Sequence, residues 1–196
     1  MSNKTEHKVY LVHGYFGYGS QFKTIRKTLE NEGFITETIC YKSRKKDINI
    51  VAKEIFEKIQ NDKSEQISFV THSMGGLIFR AMYQYFNDKN YIQNIANCVM
   101  VAPLNKGIEK ANIYKKNWFM KKIFGINLQN ITPRKVAELP IPNCRIAIIT
   151  CLNDNVVSPE STLLGTENEV LKVKCSHNGS LKNREIINFI LPFLKN

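Results

Sequence analysis

Short apolar runs alternate along the whole chain with longer stretches whose apolar residues recur every three or four positions. "KVYLVHG" reads as a buried strand. "QFKTIRKTLENEG" follows, with Phe22, Ile25 and Leu29 on one helical face and Gly33 as its stop. "FITETICY" is the next strand. Asp47 then stands where it would cap "INIVAKEIFEKIQN", whose Ile48, Val51, Ile55 and Ile59 share a face. "QISFVTH" is a strand and "GGLIFRAMYQYF" a helix. "NCVMVAP", "RIAIITC" and "EVLKVKC" are further strands, and "NREIINFILPFL" closes the chain as a helix. This β-α-β-α-β-α order predicts a mostly parallel central sheet with helices on both faces, a three-layer α/β sandwich.

One stretch breaks the rhythm. Between Pro103 and Asn143 about forty residues contain no clear strand, a length usually spent on a lid or an excursion over a site. Its middle, "NIYKKNWFMKKIFG", mixes aromatics with lysines. The expectation is a helix that packs Trp118 and Phe119 onto the body; the alternative is a short basic helix lying at a membrane surface. No repeat, low-complexity tract or linker interrupts the 196 residues. One domain over 1–196 is expected, with 105–140 as a cap or pocket-shaping excursion.

Composition narrows the class. An apolar share of 43% and a charged share of 23% are those of a globular protein. No apolar run approaches the ~20 residues that span a bilayer, and the polar start "MSNKTEHKVYLVHG" has no apolar core of a secretory signal. The five cysteines, Cys40, Cys98, Cys144, Cys151 and Cys175, are odd in number, mostly in strand-like runs, and lack C-x-x-C spacing. They argue for buried, reduced thiols in a cytoplasmic protein and against zinc or a disulfide framework. The net charge of +11 comes from lysines spread from end to end, and no nucleic-acid-binding motif is present, so no nucleic-acid partner is expected.

Candidate chemistry centres on "FVTHSMGGLI". A strand that turns sharply into a helix can present a serine at its tip, with the signature G-x-S-x-G. Here Ser73 lies at the junction, Gly75 and Gly76 open the helix, and Thr71 occupies the first glycine position. The bland alternative is a serine that caps a helix. A hydroxyl becomes a nucleophile only with a base. Of four histidines, His7 lies in the polar N-terminal stretch and is expected to be solvated. His13 and His72 adjoin turns and are expected to hydrogen-bond to backbone. His177, in the loop "KCSHNGSLKN", is the remaining base. An acid should follow a strand between serine and histidine. Asp154 does so in "RIAIITCLNDNVVSP", and Glu109 is its rival. For an oxyanion hole, Met74 can donate its backbone N–H, and the loop "VHGYFGYGS" supplies Tyr15 beside Gly14. That loop is neither the dinucleotide-binding G-x-G-x-x-G nor a phosphate-binding G-K-[ST] loop.

Taken together, these segments resemble a small bacterial α/β-hydrolase of the serine lipase/esterase type over almost the whole chain. "VYLVHGYFG" is similar to the family's first strand and oxyanion loop, "FVTHSMGGLIFR" to its nucleophile turn, and "VMVAPLNKG" to its A-P-P-N-x-G segment. "NDNVVSPEST" is similar to the acid turn and "CSHNGSL" to the histidine loop. The resemblance implies hydrolysis of carboxylic esters through an acyl-enzyme, with no cofactor and no metal. Position by position it implies Ser73 as nucleophile, Asp154 as acid, His177 as base, and Tyr15 with Met74 as the oxyanion hole. Phe16, Leu104, Trp118 and Phe119 are the expected substrate-binding residues, the aromatics setting chain length. Thr71 and Leu104 depart from the family pattern without removing a catalytic group. The small-molecule partner is then an acyl ester. A thioesterase or acyltransferase using the same triad, and a non-catalytic binding member of the fold, are the alternatives.

Overall fold

The computed structural model describes residues 6–15, 17–43, 45–86, 95–108 and 130–196. Within them β1 (His7–Val12), β2 (Ile35–Ile39), β3 (Gln66–His72), β4 (Ile95–Val101), β5 (Arg145–Cys151) and β6 (Glu169–Val173) form one sheet. The order is β2-β1-β3-β4-β5-β6, and every ladder is parallel. A parallel sheet needs cover on both faces, and the alternation of side chains divides the core accordingly. β1 sends Tyr10 and Val12 into one apolar cluster and Val9 and Leu11 into the other. β4 divides Cys98 and Met100 from Val99 and Val101, and β5 divides Ile146 and Ile148 from Ala147 and Ile149.

Helices α2 (Ile48–Ile59) and α3 (Met74–Tyr83) complete the first cluster. Helices α1 (Lys23–Asn31) and α6 (Arg184–Lys195) complete the second. Their ends follow local rules. Gly33 takes φ 87°, and Gly33 N–H and Phe34 N–H donate to the carbonyls of Glu30 and Leu29, at 3.0 and 3.1 Å, which closes α1. The Asp47 carboxylate accepts from Asn49 N–H at 2.8 Å and caps α2 as its position predicts. Asn183 does the same for α6. The excursion supplies α4 (Pro133–Ala137), and α5 (Pro159–Thr162) follows β5.

The topology places a crevice. From β1 the chain first builds β2 on one side and then crosses to β3 on the other, so the loops leaving β1 and β3 part from each other at the C-terminal edge of the sheet. Such switch points are where open α/β sheets bind ligands. Here the two loops almost touch. A Cβ on Gly75 would stand 2.3 Å from the Val12 carbonyl oxygen, and one on Gly14 would stand 2.7 Å from Ser73 Cβ. Thr71 is fully buried at the end of β3, and the tight neighbour of Gly76 is Pro103, whose Cβ would lie 3.1 Å from a Cβ placed there.

Arg80 secures the frame from α3. It is 3% exposed, and its guanidinium donates to four carbonyls, those of Asn105 (3.1 Å), Val136 (3.1 Å), Leu139 (2.8 Å) and Pro140 (3.1 Å). Burial lowers Arg80 to about 10, so it stays charged at neutral pH. One side chain thus holds the entry and the exit of the excursion.

Two expectations about single residues are corrected. His7 is half-buried, with its Nε2 2.7 Å from Ser68 Oγ and its ring edge-on to Phe34; pairing of β1 with β3 and its neighbours draws it out of solvent. Cys40 is exposed, because it follows the edge strand β2, where the sheet has no further neighbour. Among the described residues no helix is long and apolar enough to cross a membrane.

The contact at Gly75 gives a direct test. Gly75→Ala is expected to lower unfolding free energy by about 3 kcal/mol, because a methyl group there has only backbone to displace. Urea denaturation would measure it, with Gly165→Ala, which meets nothing within 4 Å but has φ 86°, losing about 1 kcal/mol.

Candidate active site

Ser73 lies between β3 and α3 with φ 53° and ψ −123°, a backbone conformation that a non-glycine residue adopts only under strain. Its side chain makes no capping hydrogen bond to the helix it precedes. A serine that merely capped α3 would show the opposite pair of features: relaxed backbone and an engaged hydroxyl. The position is 5% exposed, and Ser73 N–H donates to the Val101 carbonyl at 2.9 Å, fixing the turn to β4. Met74 begins α3, so its N–H belongs to the open first turn of the helix. The backbone of Gly14 lies against Ser73, with a would-be Cβ 3.3 Å from Ser73 Oγ. Tyr15 follows immediately, half-buried against the first apolar cluster.

His177 and Asp154 meet across β5 and β6. His177 Nδ1 is 2.6 Å from Asp154 Oδ2, and both side chains are nearly buried, at 9% and 1% exposure. A carboxylate can only accept, so the proton of the neutral ring sits on Nδ1 and Nε2 keeps its lone pair. The other carboxylate oxygen accepts from the N–H groups of Val156 (2.8 Å) and Val157 (2.9 Å). Burial pushes the Asp154 carboxyl up, but the His177 hydrogen bond and these two backbone donors outweigh it and leave the group below its ordinary value. Asp154 is therefore ionised at neutral pH.

Other groups hold the histidine loop. The His177 carbonyl accepts from Ser180 Oγ at 2.7 Å and from His72 Nε2 at 3.2 Å. The His72 and His177 rings lie 4.8 Å apart between centroids. Burial, with His177 as the next cause, lowers His72 to about 3, so it is neutral and serves as a donor. His13 bonds to the Gly14 carbonyl through Nδ1 at 2.9 Å and stacks on Tyr41 at 4.1 Å. Both histidines thus hydrogen-bond to backbone, as their turn positions predict.

Three of the other acids between Ser73 and His177 are occupied elsewhere. Glu138 pairs with Lys135 and Glu169 with Arg145, while Glu167 accepts from the backbone of 164–166. Glu109 lies outside the described residues. Leu104 is 4% exposed within the first core cluster. Phe16, Trp118 and Phe119 lie outside the described residues, as does the basic stretch around Trp118. A cavity of about 700 Å³ opens beside Asp154, lined by Lys106, Ile108, Val157 and Ser161 among others. A smaller one of about 230 Å³ reaches His72 past Gln21 and Lys182. The loop-holding roles of Ser180, His72, Val156 and Val157 were not foreseen from sequence. Only the aspartate followed two and three residues later by free amides carried a local signal, that of an Asx turn.

With this geometry in place, comparison with known proteins assigns the class. The protein has the α/β-hydrolase fold. It superposes on Bacillus licheniformis lipase BlEst2 in its mature form with a TM-score of 0.77 at 13% identity, over 98% of this chain and 93% of that one. It matches MGS-MChE2, an α/β-hydrolase from the metagenome of lagoon sediments of Mar Chica, Morocco, at TM-score 0.72 and 17% identity, over 97% and 91%. Bacillus megaterium epoxide hydrolase matches at 0.73 and 14%, over 98% and 94%. At such identities these likenesses speak for fold. No curated protein matches the chain by sequence. The family model described as "Putative serine esterase (DUF676)" matches residues 2–123, more than half of the chain, and the chain belongs to that family. Family and fold together make it an ester hydrolase at the level of class.

The depressed His72 carries a pH prediction. An unfolded histidine takes its proton near 6.5, the folded one only near about 3. The unfolded state therefore binds the extra proton between these values, and stability is full above 6.5 and falls as pH drops toward 3. His72→Gln keeps an N–H donor for the His177 carbonyl and removes this titration. Urea midpoints at about pH 7 and about pH 4.5 are expected to fall less in the variant, by about 2 kcal/mol of unfolding free energy.

Proposed function

We propose that the protein is a serine carboxylic ester hydrolase of the esterase/lipase kind, acting through a Ser73-Asp154-His177 triad and an acyl-enzyme. The observation that carries this reading is the backbone of Ser73, strained at φ 53° and free of any capping duty. Strain of this sort persists only where the surroundings over-determine it, and the close approach of Gly14 and Gly75 to their neighbours does so.

On this reading Ser73 Oγ attacks the ester carbonyl carbon while His177 Nε2 takes its proton. Asp154 keeps the imidazole in the tautomer that leaves Nε2 free and balances the charge that forms on the ring. The carbonyl oxygen gathers negative charge between the N–H groups of Tyr15 and Met74, the latter aided by the positive end of α3. His177 then gives the proton to the departing alcohol. A water, deprotonated by the same nitrogen, attacks the acyl-enzyme, and the acid leaves. His72 also has a part: held neutral beside His177, it spares the forming imidazolium a like charge. Residues Phe16, Leu104, Trp118 and Phe119 are proposed to shape the acyl pocket, the last two within a cap over 105–140 of one 1–196 domain. The epoxide hydrolase match supports no second reading, since it reports fold.

A fluorophosphonate probe reacts readily with a serine that has a base and an oxyanion hole. Labelling is expected at Ser73 and is expected to vanish in Ser73→Ala and His177→Ala. Turnover of short-chain p-nitrophenyl esters should fall about 10⁴-fold or more in these variants and about 10⁴-fold in Asp154→Asn. Unlabelled, folded protein that cleaves no ester would overturn the proposal.

A further inference from the structure

Two cysteines meet directly behind the proposed triad. Cys151 ends β5 and is 1% exposed; Cys175 lies two residues beyond the end of β6 and is half-buried. The strands run parallel with Cys151 opposite Val173, and the loop turns back so that Cys175 N–H and Leu152 N–H both donate to the Val173 carbonyl, at 3.0 and 2.8 Å. This doubling back brings the thiols together: the Cys175 S–H points at Cys151 Sγ with 3.2 Å between the sulfurs. A disulfide needs about 2.05 Å, so a closure of roughly 1 Å would join them. Neither cysteine has a part in the chemistry proposed above.

Both thiols are tied to catalytic positions. The Cys151 carbonyl accepts from Asp154 N–H at 3.3 Å, and Cys175 precedes His177 by two residues. Beside them, the Ser180 hydroxyl donates to the His177 carbonyl at 2.7 Å. Both sulfurs thus sit on the backbone segments that carry the 2.6 Å contact between His177 and Asp154.

We propose that Cys151 and Cys175 form an oxidisable dithiol site that takes hydrogen peroxide as co-substrate, closes to a disulfide and thereby suppresses ester hydrolysis. The suppression rests on the proposed triad; the thiol chemistry does not. The half-buried Cys175, as thiolate, attacks one peroxide oxygen; the O–O bond breaks and the other oxygen leaves as hydroxide, which takes up a proton. This gives a sulfenic acid at Cys175. Cys151 gives up its proton and attacks that sulfur, the S–O bond breaks and a second water leaves. Two thiols are oxidised by two electrons, and one peroxide becomes two waters. Burial holds the Cys151 thiol above its ordinary value, which makes it the resolving and not the attacking partner.

The test treats the full chain with hydrogen peroxide, maps its disulfides by mass spectrometry without reduction, and follows p-nitrophenyl ester hydrolysis. The expected result is one linked peptide pair, Cys151 with Cys175. Turnover should drop about 10- to 100-fold at nearly unchanged KM, as a displacement of about 1 Å can cause, and return with dithiothreitol. Cys175→Ser should form no link and keep its activity under peroxide. Absence of the linked pair, or a pair involving Cys40, Cys98 or Cys144 instead, overturns the site. A linked pair with unchanged turnover overturns its coupling to His177, as does equal peroxide inactivation of Cys175→Ser. If the untreated protein hydrolyses no ester, the functional reading fails, and the linked pair alone still decides the thiol chemistry.

Discussion

The structure depends on how closely two backbones approach at the C-terminal edge of the sheet. The carbonyl of Val12 leaves a gap beside Gly75 too narrow for even a methyl group, and Gly14 meets Ser73 in the same manner. With side chains at these places the loops after β1 and β3 would be pushed apart. The left-handed backbone of Ser73 would then lose its enforcement, and the first N–H groups of α3 would face away from the β1 loop. Packing density, not a particular hydrogen bond, thus sets the position of the hydroxyl.

Much of this frame was legible in the sequence because it obeys local rules. The short apolar runs "KVYLVHG" and "RIAIITC" and the helical spacing of Ile48, Val51, Ile55 and Ile59 forecast the elements found. Gly33 and Asp47 act as the stop and the cap they resemble. Ser73, Asp154 and His177 could be singled out because each lies in the turn or loop after a strand, and parallel strands carry all such positions to one edge of the sheet. What escaped depends on distant contacts. Nothing near Gly76 announces that Pro103 closes in on it. Nothing near Arg80 announces four carbonyls drawn from positions 105 to 140. His7 looks like part of a polar tail until Ser68 and Phe34 are beside it. The two sulfurs 3.2 Å apart belong to the end of one strand and the loop after the next, and their spacing in sequence carries no sign of their meeting.

Electrostatics divides two adjacent histidines into different tasks. Both rings are buried and close, but only His177 has a carboxylate, itself kept ionised by two backbone amides. His72 faces a carbonyl, which rewards an N–H but does little to offset the burial of a positive ring. The same burial therefore produces a titrating side chain in neither tail of the neutral range for His72, while the carboxylate beside His177 offers that ring a counter-charge. Partner chemistry, more than depth, separates the two rings.

Arg80 divides the molecule in a further way. Because one guanidinium on the helix behind Ser73 grips both Asn105 and the stretch from Val136 to Pro140, the span between these anchors is a loop closed on the frame itself. The entropy of closing such a loop grows slowly, by only about 0.6 kcal/mol for each doubling of its length. By this measure a longer or shorter span between the two anchors would cost the frame little. Arg80 thus makes one point on α3 the common anchor of two stretches some thirty residues apart in the sequence.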